Sequence, residues 1–372
     1  MSASNIDLIP AGTVFSAVDI IHYADPDMRD LDQAIAEADL LVTVPHATAA
    51  IPEELAEFLA PELTRRMQFD FSDAGAASVA IRWAQIDPRV VVVVNPHSRL
   101  VRDPNRPMPV DLRGDLGRAF ERVRAAGASG GSDSQPVDLS GVDAVRPVSF
   151  SNVPILRAPE SDEQLDRLAH ALLSVAEGGV DIYEATCVEL TRRFIEHAKQ
   201  EGGAFTRLSF HDSANARLTP AGAIEEIRDD EHLMPAVVTL SNRGDAHGEQ
   251  RDPSKPLTMP AEALRRLAAA HRAGFEVSAP EAVLLNQPYR GGDEIVAAAA
   301  HFHSVADRAA EAGERLVLGA VQAEFSRDYV LGPGALEELR AAGTSWVDED
   351  RERIDIIAYA SKRAWDEFRD EA

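Results

Sequence analysis

Short, continuous apolar runs alternate along the chain with longer segments whose apolar positions recur every three to four residues, and most runs stop at polar or glycine-rich residues. Leu40, Leu41, Val42 and Val44 make the first clear run, too continuous for a half-exposed strand and read as one buried on both faces. Pro45 ends its ladder and His46 follows at once. Val90–Val94 is a second, central strand, opening into the polar loop PHSRLVRDPNRP. Thr206–Phe210 runs into His211-Asp212-Ser213, Ala236–Leu240 into SNRGDAHG, Ala282–Leu285 into NQPYRGG, and Arg315–Val321 delivers Gln322, Glu324 and Arg327. Helical spacing spans Pro52–Arg66, with proline in its first turn and two arginines in its last, and Ser72–Gln85, with Asp73 in its first turn. It returns over Asp162–Ala176 and Tyr183–Gln200.

Strand followed by helix, repeatedly, predicts an α/β fold with a mostly parallel sheet covered on both faces. In such a sheet the carboxyl ends of parallel strands open onto one crevice, which would collect these polar ends. Residues 1–38 mix β-like pieces at Thr13–Ile21 with an acidic helix-like segment, expected as an extension packed on a single domain over residues 39–372. Gly127–Gly141 reads by composition as a flexible excursion from that domain.

Composition narrows the function. With 372 residues, 45% of them hydrophobic, the chain can bury a full core. Its formal charge of -25 repels phosphate backbones and anionic lipid, which argues against nucleic acid or a membrane surface as partner. An anionic substrate must then meet a local cluster of arginines. Cys187 is the only cysteine, which excludes an internal disulfide and a thiolate-built zinc site and suits a reducing cytoplasm. The N-terminus has no leader-like pattern and no run reaches the length of a membrane span, so a soluble cytoplasmic protein is expected.

Two strand-end histidines, His46 and His211, with one carboxylate would form a His/carboxylate/His site for Zn2+ with a position left for water. Asp70, Asp73 and Asp212 all qualify as the carboxylate. Glu324, just beyond a buried strand, is placed where desolvation can raise its pKa toward that of a general base. Arg99, Arg102 and Arg106 crowd one loop, either as receptors for a carboxylate or oxyanion or as partners of Asp103 and Asp111. Gly291-Gly292 reads as a tight turn. Neither GxGxxG nor GxxxxGK[ST] follows any strand, so dinucleotide and P-loop chemistry are set aside.

In order along the chain, VPHATAAIP, Asp73, SRLVRDPNR, FHDS, GDAHG, NQPYRGG and QAEFSRDY resemble the landmarks of the N-formylglutamate amidohydrolase family, from about Leu41 to Val330. The resemblance implies a three-layer sandwich with a mixed, mostly parallel central sheet, of the zinc carboxypeptidase and aspartoacylase type. It implies a single zinc ion on His46, Asp73 and His211, which prefers Asp73 among the three candidates. Glu324 then stands as the base, Arg99 as the group stabilising the tetrahedral oxyanion, and Asn105-Arg106 as the pair gripping a substrate carboxylate. Arg290, in NQPYRGG, joins them as a substrate-binding candidate. The activity implied is hydrolysis of the amide of a small N-acylated amino acid carrying a free carboxylate.

Three positions depart from the family pattern. Ser209 stands where members usually carry an aspartate two residues before the second metal histidine, so a carboxylate orienting that imidazole is missing unless Asp212 supplies it. Thr48 replaces the glycine of PHAG, and Cys187 takes the place of a histidine. Ser209 and Cys187 favour the alternative, a metal-free or inactive relative that binds a carboxylated small molecule.

Overall fold

Leucine and valine side chains that must leave water on both faces set the middle of the sheet. The computed structural model describes residues 6–128, 144–201, 203–226 and 233–370. Its strands are, in chain order, β1 (Leu8–Ile9), β2 (Ile21–His22), β3 (Leu40–Val44), β4 (Ile51–Pro52), β5 (Val90–Val94), β6 (Ala204–Ser213), β7 (Ala216–Leu218), β8 (Ile224–Glu226), β9 (Val238–Ser241), β10 (Val283–Leu285) and β11 (Val317–Ser326). Seven form the central sheet in the order β10-β9-β11-β6-β3-β5-β2. The pairs β10/β9, β11/β6, β6/β3 and β3/β5 are parallel, whereas β11/β9 and β5/β2 are antiparallel. Every residue of β3 and β5 is buried, as their unbroken apolar sequences require.

Helices cover both faces of this mixed, mostly parallel sheet, giving the α/β sandwich. On one face Ala76–Ile86, Ala261–Gly274 and Arg351–Asp370 pack against Val42, Val92, Phe210 and Phe325. On the other Leu31–Glu37, Val180–Glu201 and Asp293–Glu311 pack against Leu41, Val91, Phe205 and Ala320. A further apolar cluster, around Leu55, Leu100, Phe120, Leu168 and Val180, is built from segments that follow the carboxyl ends of β3 and β5. No described helix is long and apolar enough to cross a membrane.

Several local expectations change. The helix expected over Pro52–Arg66 is broken into a 3-10 helix at Glu53–Phe58 and a helix at Arg65–Asp70, with Leu59 bridging to Leu156 between them. Pro61 cannot continue a helix, and Thr64 caps the new start by accepting from Met67 N, so the two arginines open the second helix instead of closing the first. The second helix begins at Ala76, leaving Asp73 in the turn before it. Gln322 and Glu324 lie inside β11, not beyond its end. The strands β9 and β10 oppose β11, so SNRGDAHG leaves the sheet away from the shared crevice, and His247 in it is exposed. Residues 129–141 of the segment expected to be flexible lie outside the described residues.

Candidate active site

Four parallel strands, β5, β3, β6 and β11, bring their carboxyl ends to one edge of the sheet, and the side chains they deliver meet there. Pairing of β6 with β11 runs without a break, setting Glu324 beside His211 and Gln322 beside Ser209. Because side chains alternate along a strand, these four share one face. His46 leaves β3 after Pro45, and this short loop is held by Asn95, whose side chain donates to Pro45 O at 2.9 Å. Thr48 Oγ1 donates to Asn95 O at 2.6 Å, so the residue that departs from the family's glycine ties the same loop.

Asp73 reaches the site through the backbone: its N–H donates to His46 O at 2.9 Å. Arg327, fully committed beneath it, donates to Asp212 Oδ1, to Asp70 O at 3.1 Å and to Ser72 O, while Gly75 N donates to Asp212 Oδ2. Asp70 and Asp212 therefore brace the turn that carries Asp73 and do not reach the imidazoles. Arg327 does not pair with Glu324.

His46 Nδ1 and His211 Nδ1 lie 3.2 Å apart, and Asp73 Oδ2 lies 3.5 Å from the first and 2.9 Å from the second. All three residues are buried, and their donor atoms fall within 4.8 Å of one another, a group that can hold a metal ion. The rings' other nitrogens are tied down. His46 Nε2 bonds Asp103 Oδ1 at 2.6 Å, and His211 Nε2 bonds Ser209 Oγ at 2.8 Å. Asp103 is in turn held by Arg99 and by the backbone N–H of Asn105. Burial alone would raise the pKa of Asp103, but Arg99 and then His46 outweigh it and hold it well below the usual carboxylate value. Burial likewise opposes ionisation of Asp73, and the two histidines reverse it. Burial depresses His211, yet Asp73 and then Glu324 raise its pKa above the ordinary value, so the surrounding carboxylates favour positive charge at this point.

Glu324 is buried, accepts from Gln322 Nε2 at 2.8 Å, and has a raised pKa whose main cause is desolvation, with His211 opposing it and Asp73 adding to it. Arg99 lines the same cleft. Its guanidinium lies over Phe150, and its Nη1 stands 3.9 Å from Asp73 Oδ1. Asn105 has its amide turned inward, Oδ1 accepting from Glu294 N at 3.1 Å and Nδ2 reaching Gln322 at 3.3 Å. Arg106 lines the cleft with no carboxylate of a described residue within 4.0 Å, donating only to Asn105 O. Arg290 sits exposed at the rim, following Tyr289, whose hydroxyl is 3.0 Å from Ser213 Oγ. Arg102 turns away to Asp181 and Glu184. The cleft has a volume of about 690 Å³, the size of a small-molecule site.

Sequence reasoning missed four contributors. Arg217, on β7, lines the cleft and pairs with no described acid. Asp103 reads from sequence only as a partner for arginine. In the sequence Ser209 reads as a loss, and Glu294 carries no signal because an acid in a helix's first turn is expected for the helix dipole alone. Asp212 does not stand in for the missing aspartate; Ser209 itself contacts the ring. Cys187 packs among Leu41, Tyr183 and Phe194, outside the cleft lining, and burial pushes its thiol pKa up to about 12.

A crystal structure of N-formylglutamate amidohydrolase from Ralstonia eutropha JMP134 is 16% identical, covers 95% of this chain and 98% of its own, and superposes with a TM-score of 0.50, a likeness of fold. A gene product, Atu2144, from Agrobacterium tumefaciens is 18% identical over 91% of this chain and 94% of its own, with a TM-score of 0.48. No curated protein matches the chain. The family model for N-formylglutamate amidohydrolase matches residues 38–331, which include the whole His46, Asp73 and His211 cluster with Glu324. The chain belongs to the N-formylglutamate amidohydrolase family.

Proposed function

We propose that this protein is a zinc-dependent amidohydrolase that cleaves the amide of a small N-acylated amino acid, with N-formylglutamate as the model substrate. The observation that carries the reading is the convergence of two imidazole Nδ1 atoms and one carboxylate oxygen, with both Nε2 atoms already occupied, at the floor of a cleft lined by arginines. Donor type and mutual distance suit one ion held by His46, Asp73 and His211. When bound, such an ion polarises a carbonyl and lowers the pKa of water toward about 7. The mixed sheet with its site at the carboxyl ends of β3, β6 and β11 supports the zinc carboxypeptidase-like assignment.

The chain's own groups then divide the work. Glu324, its basicity raised by burial and its Oε2 fixed by Gln322, takes the proton from the attacking water and passes it to the leaving amine nitrogen. Arg99, anchored through Asp103, supplies positive charge to the oxyanion that forms as the carbonyl carbon becomes tetrahedral. Arg106, with no described carboxylate within 4.0 Å, takes the α-carboxylate, and Asn105 fixes the wall against which it sits. Arg217 and Arg290 offer a second carboxylate a partner, which suits a dicarboxylic substrate. A cytoplasmic setting is consistent with a single buried thiol.

The features behind the metal-free alternative lose their force, since Ser209 is bonded to the imidazole and Cys187 packs in an apolar cluster. The deciding experiment is a screen of N-formyl and other N-acyl amino acids for released amine, with and without a chelator. Turnover of an N-acyl dicarboxylic amino acid, abolished by chelator and restored by zinc, is the expected result. Turnover that survives metal removal, or that is confined to unacylated peptides, overturns the reading.

A further inference from the structure

The two imidazoles are held in unlike ways. Asp103 touches His46 directly, whereas the carboxylate nearest the far side of His211 belongs to Glu294, on the helix Asp293–Glu311, and a serine stands between them. Ser209 Oγ is 2.8 Å from His211 Nε2 and 2.6 Å from Glu294 Oε2. Glu294 also receives Thr43 Oγ1 on Oε2 at 3.1 Å, and Tyr183 OH at 2.7 Å and Arg207 at 3.1 Å on Oε1. A buried carboxylate facing a guanidinium and three hydroxyls acts only as an acceptor, so the single hydroxyl proton of Ser209 points to Glu294. Its oxygen must then accept from His211, which puts the ring proton on Nε2. In the neutral ring that metal binding requires, the lone pair is then left on Nδ1, the atom that faces Asp73 and His46.

We infer that Ser209 and Glu294 form a two-residue positioning relay that fixes the tautomer and orientation of His211 for metal binding, doing through a hydroxyl what Asp103 does directly for His46. This inference rests on the metal reading above. It assigns to Glu294 a role outside the reaction itself, since its side chain is buried and it does not line the cleft. The carboxylate's network also fixes its own position: Glu294 N donates to Asn105 Oδ1, so the relay and the wall beside Arg106 share one anchor.

Zinc affinity of the full-length protein, measured by competition with a chromogenic chelator, tests the relay independently of turnover, and the cobalt(II) absorption spectrum reports ligand geometry. Ser209→Ala and Glu294→Gln should each weaken zinc binding by about 10- to 100-fold and alter the cobalt spectrum. Thr43→Val, which removes a bond to the same oxygen of Glu294 without touching His211, should bind as the wild type does. Ser209→Asp combined with Glu294→Gln, which moves the carboxylate onto the ring, should recover most of the lost affinity. Wild-type affinity in Ser209→Ala, or an equal loss in Thr43→Val, overturns the relay while leaving the metal site intact. Failure of the wild type to bind zinc overturns the metal reading, and the relay with it.

Discussion

His46 Nδ1 and His211 Nδ1 lie 3.2 Å apart although 165 positions separate them in the chain. Two ring nitrogens at that distance, with Asp73 Oδ2 within 3.5 Å of both, require a proton or a cation among them. The strand that carries His211 pairs on one side with β3, which leads to His46, and on the other with β11, which sets Glu324 beside it, so the base and the ligands share one rigid frame.

Replacing Glu324 with Gln keeps the shape of the side chain and removes its basicity. Steady-state kinetics on an N-acyl amino acid should show kcat reduced on the order of a hundredfold or more, with KM little changed, because the loss falls on proton transfer. A variant that keeps most of its kcat would assign the base elsewhere.

Arg106→Ala should act on the other parameter. Loss of a charge-assisted contact to a carboxylate is worth roughly 1.5 to 3 kcal/mol, so kcat/KM should fall by about tenfold to a hundredfold, largely through KM. Arg217→Ala should produce a comparable penalty only for substrates with a second carboxylate, measured by comparing N-formyl derivatives of glutamate and of an apolar amino acid.

Acid should destabilise the fold through its buried histidines. His271 is buried, with Nδ1 bonded to Leu267 O, and burial lowers its pKa from 6.5 to about 4; His97 shifts in the same direction to about 4. Between these values the unfolded chain binds the proton and the folded one does not. The stability from keeping His271 neutral is therefore fully present above pH 6.5 and is lost as pH falls toward 4, on the order of 3 kcal/mol in all. Urea denaturation across this window should show the slope, and His271→Leu should flatten it by about one proton's worth; an unchanged slope would place the titrating group elsewhere.

The sequence made some of this site readable and hid the rest for physical reasons. His46 stood out because an apolar run long enough for a buried strand ended in proline and an imidazole, and such ends are where parallel sheets open. Glu324 was recognised but misplaced, since Gln322, Glu324 and Ser326 alternate with Ala323 and Phe325 and a polar face within a strand looks, in one dimension, like the strand's end. The direction of β9 and β10 was not readable, because strands of four and three residues carry no signal of which neighbour they will join. The Ser209–Glu294 contact was hidden by a separation of 85 positions and by a helix start that welcomes an acid for other reasons. Arg217 lay in a short hairpin with no pattern that sets it apart.

The metal content of the protein most directly tests the account. Elemental analysis of the wild type purified without added metal and then offered one equivalent of zinc, alongside His46→Ala and Asp73→Ala, should find close to one ion per chain in the wild type and little in either variant. A wild type that retains no zinc after dialysis, or variants that retain as much as it does, would contradict the claim that these side chains form a metal centre.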